Sequence, residues 1–447
     1  MSAPSGLWRE RPRRVSYPVL LGLYGVNAAV LLAAQTGQIG EANEYMGMQP
    51  WHMDLPGYLL LLGGLPLLAW FNRRGVQGPS DFFRLFYCNI VLLSFLVLHP
   101  VAGPLPASTV YRGAAALFAP MVALAWLGRA IPPLRVYGPI KPEWSGIMGI
   151  LLVVAVMLGV AVIAPDSAGF GIDDSHVRRL EGRSVYQAGS LLSYGLAMAM
   201  NGFTPYLAFV AGWRKRFAPL AVAILAVVFY YWLLGVKAPI LYVLAAMLLG
   251  IAVRRGRVQS VPLYFLLSVL GLGVVMLCEW VSFDGYSMVA DYLFRRVFSA
   301  PAEIQSYYLQ FLSDKKQIDW SWLQGIGDPE YSITYFIGSN YFDNPDSNVN
   351  TNAFLHALAA SGMLGYCYTL IVVPLVFGVF DRLYQGSRNP GYLFIGYLYG
   401  LLLVEQAYSV ALLSSGVALL SLMIMLERPD KATRSARSSN PISQVIP

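Results

Sequence analysis

Long apolar runs separated by short polar clusters dominate the chain, and each run is about as long as a helix needs to cross a bilayer. They fall near residues 17–35, 56–71, 85–102, 113–130, 145–164, 187–212, 217–234, 236–253, 262–283, 355–380, 391–408 and 409–426. In lipid such a run must satisfy its own backbone hydrogen bonds, so each is predicted to be helical. The expected fold is all-α, a polytopic transmembrane helical bundle of about twelve spans. A weak break from Gln406 to Ser409 divides the last two runs. One transmembrane domain is expected over residues 1–430, with a Ser/Arg-rich disordered cytoplasmic tail over 431–447.

The polar clusters predict the orientation. Basic groups sit at Arg9/Arg11/Arg13/Arg14, Arg73/Arg74/Arg84, Arg129/Arg135/Lys141, Arg214/Lys215/Arg216, Arg254/Arg255/Arg257, Arg382/Arg388 and Arg428/Lys431/Arg434/Arg437. They recur after every second run, which by the positive-inside rule places them and both termini in the cytoplasm. The polar stretch Met1 to Ser16 then reads as a cytoplasmic tail. A multi-pass protein of a bacterial inner membrane is expected.

Residues 284–352 form the longest interruption, expected to be a large extracytoplasmic loop with amphipathic helices. Its aromatics, among them Tyr286, Phe294, Phe298, Phe311, Trp320, Trp322, Tyr331, Phe336 and Tyr341, are residues that disordered segments lack. A helix is predicted from Ser287 to Phe298. A second is predicted to start at a Ser299 cap, with Pro301 and Glu303 in its first turn. Both are expected to lie at the membrane surface. Gly338 to Asn350 reads as a turn-rich stretch re-entering the bundle.

Composition agrees with the pattern. Of 447 residues 57% are hydrophobic and 12% charged, about half the charged share of a soluble domain. The net charge of +7 belongs to the topology signal, so nucleic acid is not an expected partner. Cys88, Cys278 and Cys367 are scattered among apolar residues and form no disulfide or metal pattern.

The exceptions to the charge rule carry the candidate chemistry. Arg178, Arg179 and Arg183, then Lys237, then Arg295, Arg296, Lys315 and Lys316 fall in loops predicted to be extracytoplasmic. Cations there oppose the orientation signal, which points to an anion at the outer face. Guanidinium forks match phosphate oxygens and keep their charge at any relevant pH. Pairing with Asp173, Asp174, Glu181 and Asp291, or with lipid headgroups, is the alternative. His356 is a candidate proton acceptor, while Asp343 and Asp346 sit in ordinary turn sequence. Glu405 lies inside an apolar run, where a carboxylate marks function or a buried partner. No metal spacing and no phosphate-binding glycine loop is present, so neither a metal nor another cofactor is expected.

Four ordered segments resemble the O-antigen polymerase (Wzy-type) family of oligosaccharide repeat-unit polymerases. They are the arginine-bearing loop running into Asn201-Gly-Phe-Thr-Pro205; Gly235-Val-Lys237-Ala-Pro239; Arg295-Arg296-Val-Phe298-Ser-Ala-Pro301 with Tyr307-Tyr308-Leu-Gln-Phe311; and Ile337-Gly338-Ser-Asn-Tyr341-Phe342 with Asn350-Thr-Asn352-Ala-Phe354 and Gly362-Met-Leu-Gly365. Together they cover about residues 165–380. The resemblance implies a glycosyltransferase that joins two undecaprenyl-diphosphate-linked oligosaccharides at the periplasmic face, for O-antigen, capsule or exopolysaccharide. A hydroxyl of one repeat unit attacks the anomeric carbon of the other chain, and undecaprenyl diphosphate leaves, with inversion or retention both open.

Under this resemblance Arg295, Arg296 and His356 are the catalytic candidates. Arg178, Arg179, Arg183 and Lys237 are the diphosphate ligands, and Tyr307, Tyr308, Asn350 and Asn352 line the sugar cleft. Implied partners are the lipid-linked substrates, membrane lipid, a chain-length regulator and a flippase. An O-antigen ligase uses the same chemistry on another acceptor. A lipid-linked oligosaccharide flippase or transporter is the alternative of a different class, and the absence of an internal repeat weighs against it.

Overall fold

The computed structural model describes residues 15–44, 47–49, 51–132, 134, 138–141, 143–171, 174–186, 190–314, 332–342 and 347–428. Arg9, Arg11, Arg13, Arg14, Arg135, Asp173, Lys315, Lys316, Trp320, Trp322, Tyr331, Asp343, Asp346 and the tail 431–447 lie outside the described residues, as does the side chain of Arg183. Among the described residues the regular structure is helical, and the one β-type pairing is an isolated bridge between Ile140 and Glu427.

Local sequence explains where the helices begin. Pro18, Pro56, Pro79, Pro239 and Pro262 occupy the first turns of five of them, where a missing N–H costs nothing. Asp54, Ser190 and Asn352 accept hydrogen bonds from free N–H groups of the turns they precede. Gly235, in the left-handed region at φ 64°, closes the helix Phe217–Leu234.

Among the described residues eight helices are long and apolar enough to cross a membrane: Tyr17–Ala42, Leu55–Asn72, Pro79–Ala102, Ala107–Leu127, Trp144–Ala161, Phe217–Leu234, Val258–Ser282 and Ala353–Ser387. Seven present apolar surface outward, with Leu62, Leu158, Leu225 and Val281 more than half exposed. Pro79–Ala102 is instead buried along nearly its whole length and forms the axis of the bundle. Its Phe83 ring packs against Tyr87, Phe354 and Phe377 at centroid distances of 5.0, 5.9 and 5.3 Å.

Several expected runs differ in the structure. The last two yield helices Gly391–Leu402 and Val417–Met425, of 12 and 9 residues, both short of the ~20 a span needs. Gly416, at φ 79°, interrupts the second run. The helix from Ala353 is broken at Ser361 and Gly362, which leaves Asn352 and His356 on a short segment apart from the longer one.

The long connection departs most from expectation. Residues 288–314 form one continuous helical run, and Ser299 is a buried helical residue in it instead of an N-cap. Residues Ala290–Ser299 wind as wider π-helical turns, so Pro301 is accommodated without the bond it cannot donate to the preceding turn. The helix Ala300–Asp314 does not lie on a surface. Nine of its fifteen residues are buried, because it packs against the end of Pro79–Ala102 and against Ala107–Leu127 and Ala353–Ser387.

The helices connect two chemically different ends. At one end Arg84 donates to the Gly75 carbonyl, Arg382 to that of Ile131 and Arg254 to that of Gly212, while Arg214 and Arg216 pair with Glu143. At the other end Gln38 accepts from the Trp280 indole and the Ser287 N–H, and the Ser306 hydroxyl donates to the His99 carbonyl. Thr109 bonds Ser313 there, and the Tyr308 hydroxyl donates to the Val349 carbonyl. The described residues of segments 36–54, 97–109, 279–314 and 332–352 are tied together at this second end.

Close backbone approach fixes part of the packing. Helices Thr204–Arg214 and Ala238–Arg254 meet at Gly212 and Gly250; a Cβ on Gly250 would fall onto the Phe209 carbonyl and within 2.8 Å of the Trp213 nitrogen. Gly250→Ala is therefore expected to destabilise the bundle by about 1–3 kcal/mol through overpacking. Size-exclusion after graded heating in detergent reads this effect, and an unchanged melting midpoint would disprove the close contact.

Candidate functional site

Two groups of the anomalous cations are positioned by different parts of the fold. The first is built on the helix Ser175–Val185, which packs at the C-terminal end of Phe217–Leu234. Arg178 is buried at 1% exposure, donates to the Gly171 carbonyl at 2.6 Å and stands 5.7 Å over the Tyr231 ring. Phe170 stacks on the other partner of this contact, Tyr231, at 6.5 Å. Arg178 thus holds its loop against the bundle, and its Nε has no partner among the described residues. Arg179 is exposed on the same helix. Gly235 lies against Ser175, so the exposed Lys237 belongs to the same end of the bundle.

The second group lies on the continuous helical run. Arg295 donates through Nε to the Asp291 carbonyl and pairs with the Asp291 carboxylate at 2.8 Å. Arg296 is exposed and pairs with no described acid. Four residues apart along this run come Arg295, Ser299, Glu303 and Tyr307, a spacing that aligns them on one face. The Gly47 loop covers the lower part of that face: a Cβ on Gly47 would meet the Tyr307 hydroxyl at 2.5 Å and Glu303 Oε1 at 3.8 Å.

Glu303 is the residue that sequence reasoning treated only as a first-turn acid. Its carboxyl is fully buried, Oε1 accepts from the Tyr307 hydroxyl at 3.4 Å, and Oε2 has no partner among the described residues. Burial pushes its titration up to about 8, against the opposing pull of the Tyr307 hydrogen bond and the Arg295 charge. A neutral Glu303 adds no second negative charge beside Arg295, which already pairs with Asp291, so this carboxyl does not compete with an incoming anion. No signal in a single sequence distinguishes such a carboxyl from a solvated helix-start acid.

The shift has a sign that can be measured. The carboxyl titrates at its ordinary 4.5 in the unfolded chain and at about 8 in the folded one. Stability gained by keeping Glu303 neutral is complete below the lower value and is lost as pH rises through the upper one. The melting midpoint is expected to fall between about pH 5 and about pH 8, and Glu303→Gln is expected to remove that part of the slope. Parallel pH profiles for the two proteins would contradict the assignment.

The remaining candidates take distinct positions. Tyr307 is buried beside Glu303, and Tyr308, with no exposed surface, spends its hydroxyl on the Val349 carbonyl. Asn350 is exposed. Asn352 caps Ala353–Ser387 through its side-chain oxygen, 3.2 Å from the Phe354 N–H and 3.1 Å from the Leu355 N–H, and its amide nitrogen has no described partner. His356 follows one turn later, half-buried, and its ring makes no hydrogen bond to a described residue. No group of three metal-ligating side chains occurs among the described residues. Cys88 is buried, Cys278 and Cys367 are exposed, and all three are free.

No family model, curated protein or solved structure matches this chain.

Proposed function

We propose that the chain is an integral-membrane glycosyltransferase that joins undecaprenyl-diphosphate-linked oligosaccharide repeat units at the periplasmic face of an inner membrane. In this reading about twelve helices span the bilayer, both termini are cytoplasmic, and residues 284–352 are the large extracytoplasmic connection. The observation that carries it is the separation of cations. The connections that follow the positive-inside rule gather at one end of the helices, while Arg178, Arg179, Lys237, Arg295 and Arg296 belong to connections at the other.

The chemistry follows from charge. The departing diphosphate develops negative charge as the glycosidic bond to it breaks, and preorganised guanidinium groups stabilise that charge more than they stabilise the ground state. Arg295 and Arg296 act on the leaving diphosphate and Arg179, Arg183 and Lys237 hold the lipid-linked anions, while the buried Arg178 anchors the loop that carries them. The attacking sugar hydroxyl gives its proton to His356, whose ring makes no hydrogen bond to a described residue. Asn350 is exposed to border the sugar, while Tyr307, Tyr308 and Asn352 are buried and form the wall behind it.

Incubating the purified full chain in lipid nanodiscs with one lipid-linked repeat unit tests the reading. A ladder of products separated by one repeat is expected. Translocation of the lipid-linked sugar across proteoliposomes without any chain extension would replace this reading with a transport function.

A further inference from the structure

A cleft of about 350 Å³ opens at the end of the bundle opposite the candidate site, between Trp144–Ala161, Thr204–Arg214 and the start of Phe217–Leu234. Its walls are apolar, formed by Ile147, Ile150, Val210 and Phe217. Ile147 and Phe217 are 50% and 79% exposed, so the cleft opens sideways onto the surface that faces lipid. Trp144 stands beside it, 42% exposed, at the end of its helix, where amphipathic aromatic rings mark a membrane–water boundary.

The mouth is charged. Glu143 contacts Arg216 at 2.6 Å and Arg214 at 3.2 Å, so one carboxylate is shared by two guanidinium groups and the pair remains positive overall. Lys215, between the two arginines, adds a further charge. The guanidinium groups carry five donors each, more than one carboxylate can accept. The backbone is held in an unusual conformation to make this arrangement: Glu143 and Lys215 have φ of 91° and 56°, in the left-handed region that non-glycine residues seldom adopt.

We propose that this cleft is a binding site for an anionic phospholipid. The phosphate sits at Arg214 and Arg216, and the glycerol and upper acyl chain lie along Ile147, Ile150 and Phe217. Three features select this occupant together. The surplus positive charge calls for an anion; the apolar walls call for a tail attached to it; and the lateral opening faces the acyl region, from which a lipid enters without crossing water. A volume of about 350 Å³ is within the range of small-molecule sites and fits a headgroup with the start of a chain. Basic pockets between transmembrane helices recognise anionic headgroups by this combination. The proposal does not depend on the polymerase reading.

Native mass spectrometry of the full chain in detergent, titrated with phosphatidylglycerol or phosphatidylcholine, tests it. One phosphatidylglycerol adduct is expected to be retained on the order of tenfold more tightly than phosphatidylcholine, a difference of about 1.4 kcal/mol. Arg214→Ala with Arg216→Ala is expected to abolish the preference. Gly146→Phe keeps both arginines and fills the cleft from within; a Cβ at Gly146 meets only Val210, at 3.9 Å, so the backbone there has room for a side chain. This variant is expected to lose the adduct while melting like the parent. Equal retention of the two lipids, or retention unchanged in Gly146→Phe, would overturn the proposal. So would complete displacement of the lipid by inorganic phosphate alone, which would assign the charged mouth without the apolar wall.

Discussion

Replacing Arg295 and Arg296 together by alanine is expected to slow chain extension by on the order of a hundredfold to a thousandfold, the scale on which a preorganised group facing developing charge acts. The two should not contribute equally. Asp291 already engages Arg295 at 2.8 Å, whereas Arg296 is exposed and pairs with no acid among the described residues. Arg296→Ala is therefore expected to carry most of the loss. Arg296→Lys should recover only part of it, since an ammonium keeps the charge but not the paired geometry. Asp291→Ala separates the two roles of Arg295: an ion pair that serves the helix alone would make this change harmful to stability and neutral to extension. Product ladders from purified protein, normalised to folded material, give the measurement. Near-normal ladders from the double variant would remove both arginines from the site.

The helical character of this chain is legible in its sequence because lipid and backbone chemistry leave one solution for an apolar run. Prolines at first turns and the Asn352 cap mark helix starts in the same local way. What sequence does not carry is the environment of residues whose partners lie far along the chain. The segment from Ser299 to Glu303 has the composition of a helix start, yet π-helical winding carries the helix through it and takes up Pro301. Ile304, Tyr308, Phe311 and Leu312 fit one face of an amphipathic surface helix, but Glu303, Gln305 and Ser306 are buried as well, because neighbouring helices enclose this one. Among the site candidates, Arg178 has the residue type of an anion ligand and the surroundings of a loop anchor. Its contacts with Gly171 and Tyr231 depend on how two connections fold over each other. Glu303 shows the reverse case, an unremarkable acid in sequence whose burial changes its protonation.

Glu427→Ala is expected to give the largest loss of stability of any single replacement considered, on the order of 3 kcal/mol. In sequence this residue is the last one before a tail of serines and arginines. In the structure it is 6% exposed and joins its own segment to Asn389, 38 positions away, and to Ser145, 282 positions away. Its Oε1 accepts from the Ser145 N–H at 2.9 Å and from the Ser145 hydroxyl at 2.7 Å, and its Oε2 accepts from the Asn389 amide at 3.3 Å. Alanine would leave the Ser145 N–H, one of the free donors of its helix start, buried without an acceptor. The Ser145 hydroxyl would fare better, since Tyr206 lies 2.6 Å away. An unsatisfied buried donor costs about 1–3 kcal/mol, and loss of the charged acceptor for the other two bonds adds to it. Glu427→Gln keeps an acceptor oxygen of the same reach and is expected to cost on the order of 1 kcal/mol. Thermal unfolding of the parent and both variants in one detergent at neutral pH orders the three. A Glu427→Ala protein that melts with the parent would show that Ser145 finds another acceptor, and that the helix Trp144–Ala161 is held at this end by apolar packing alone.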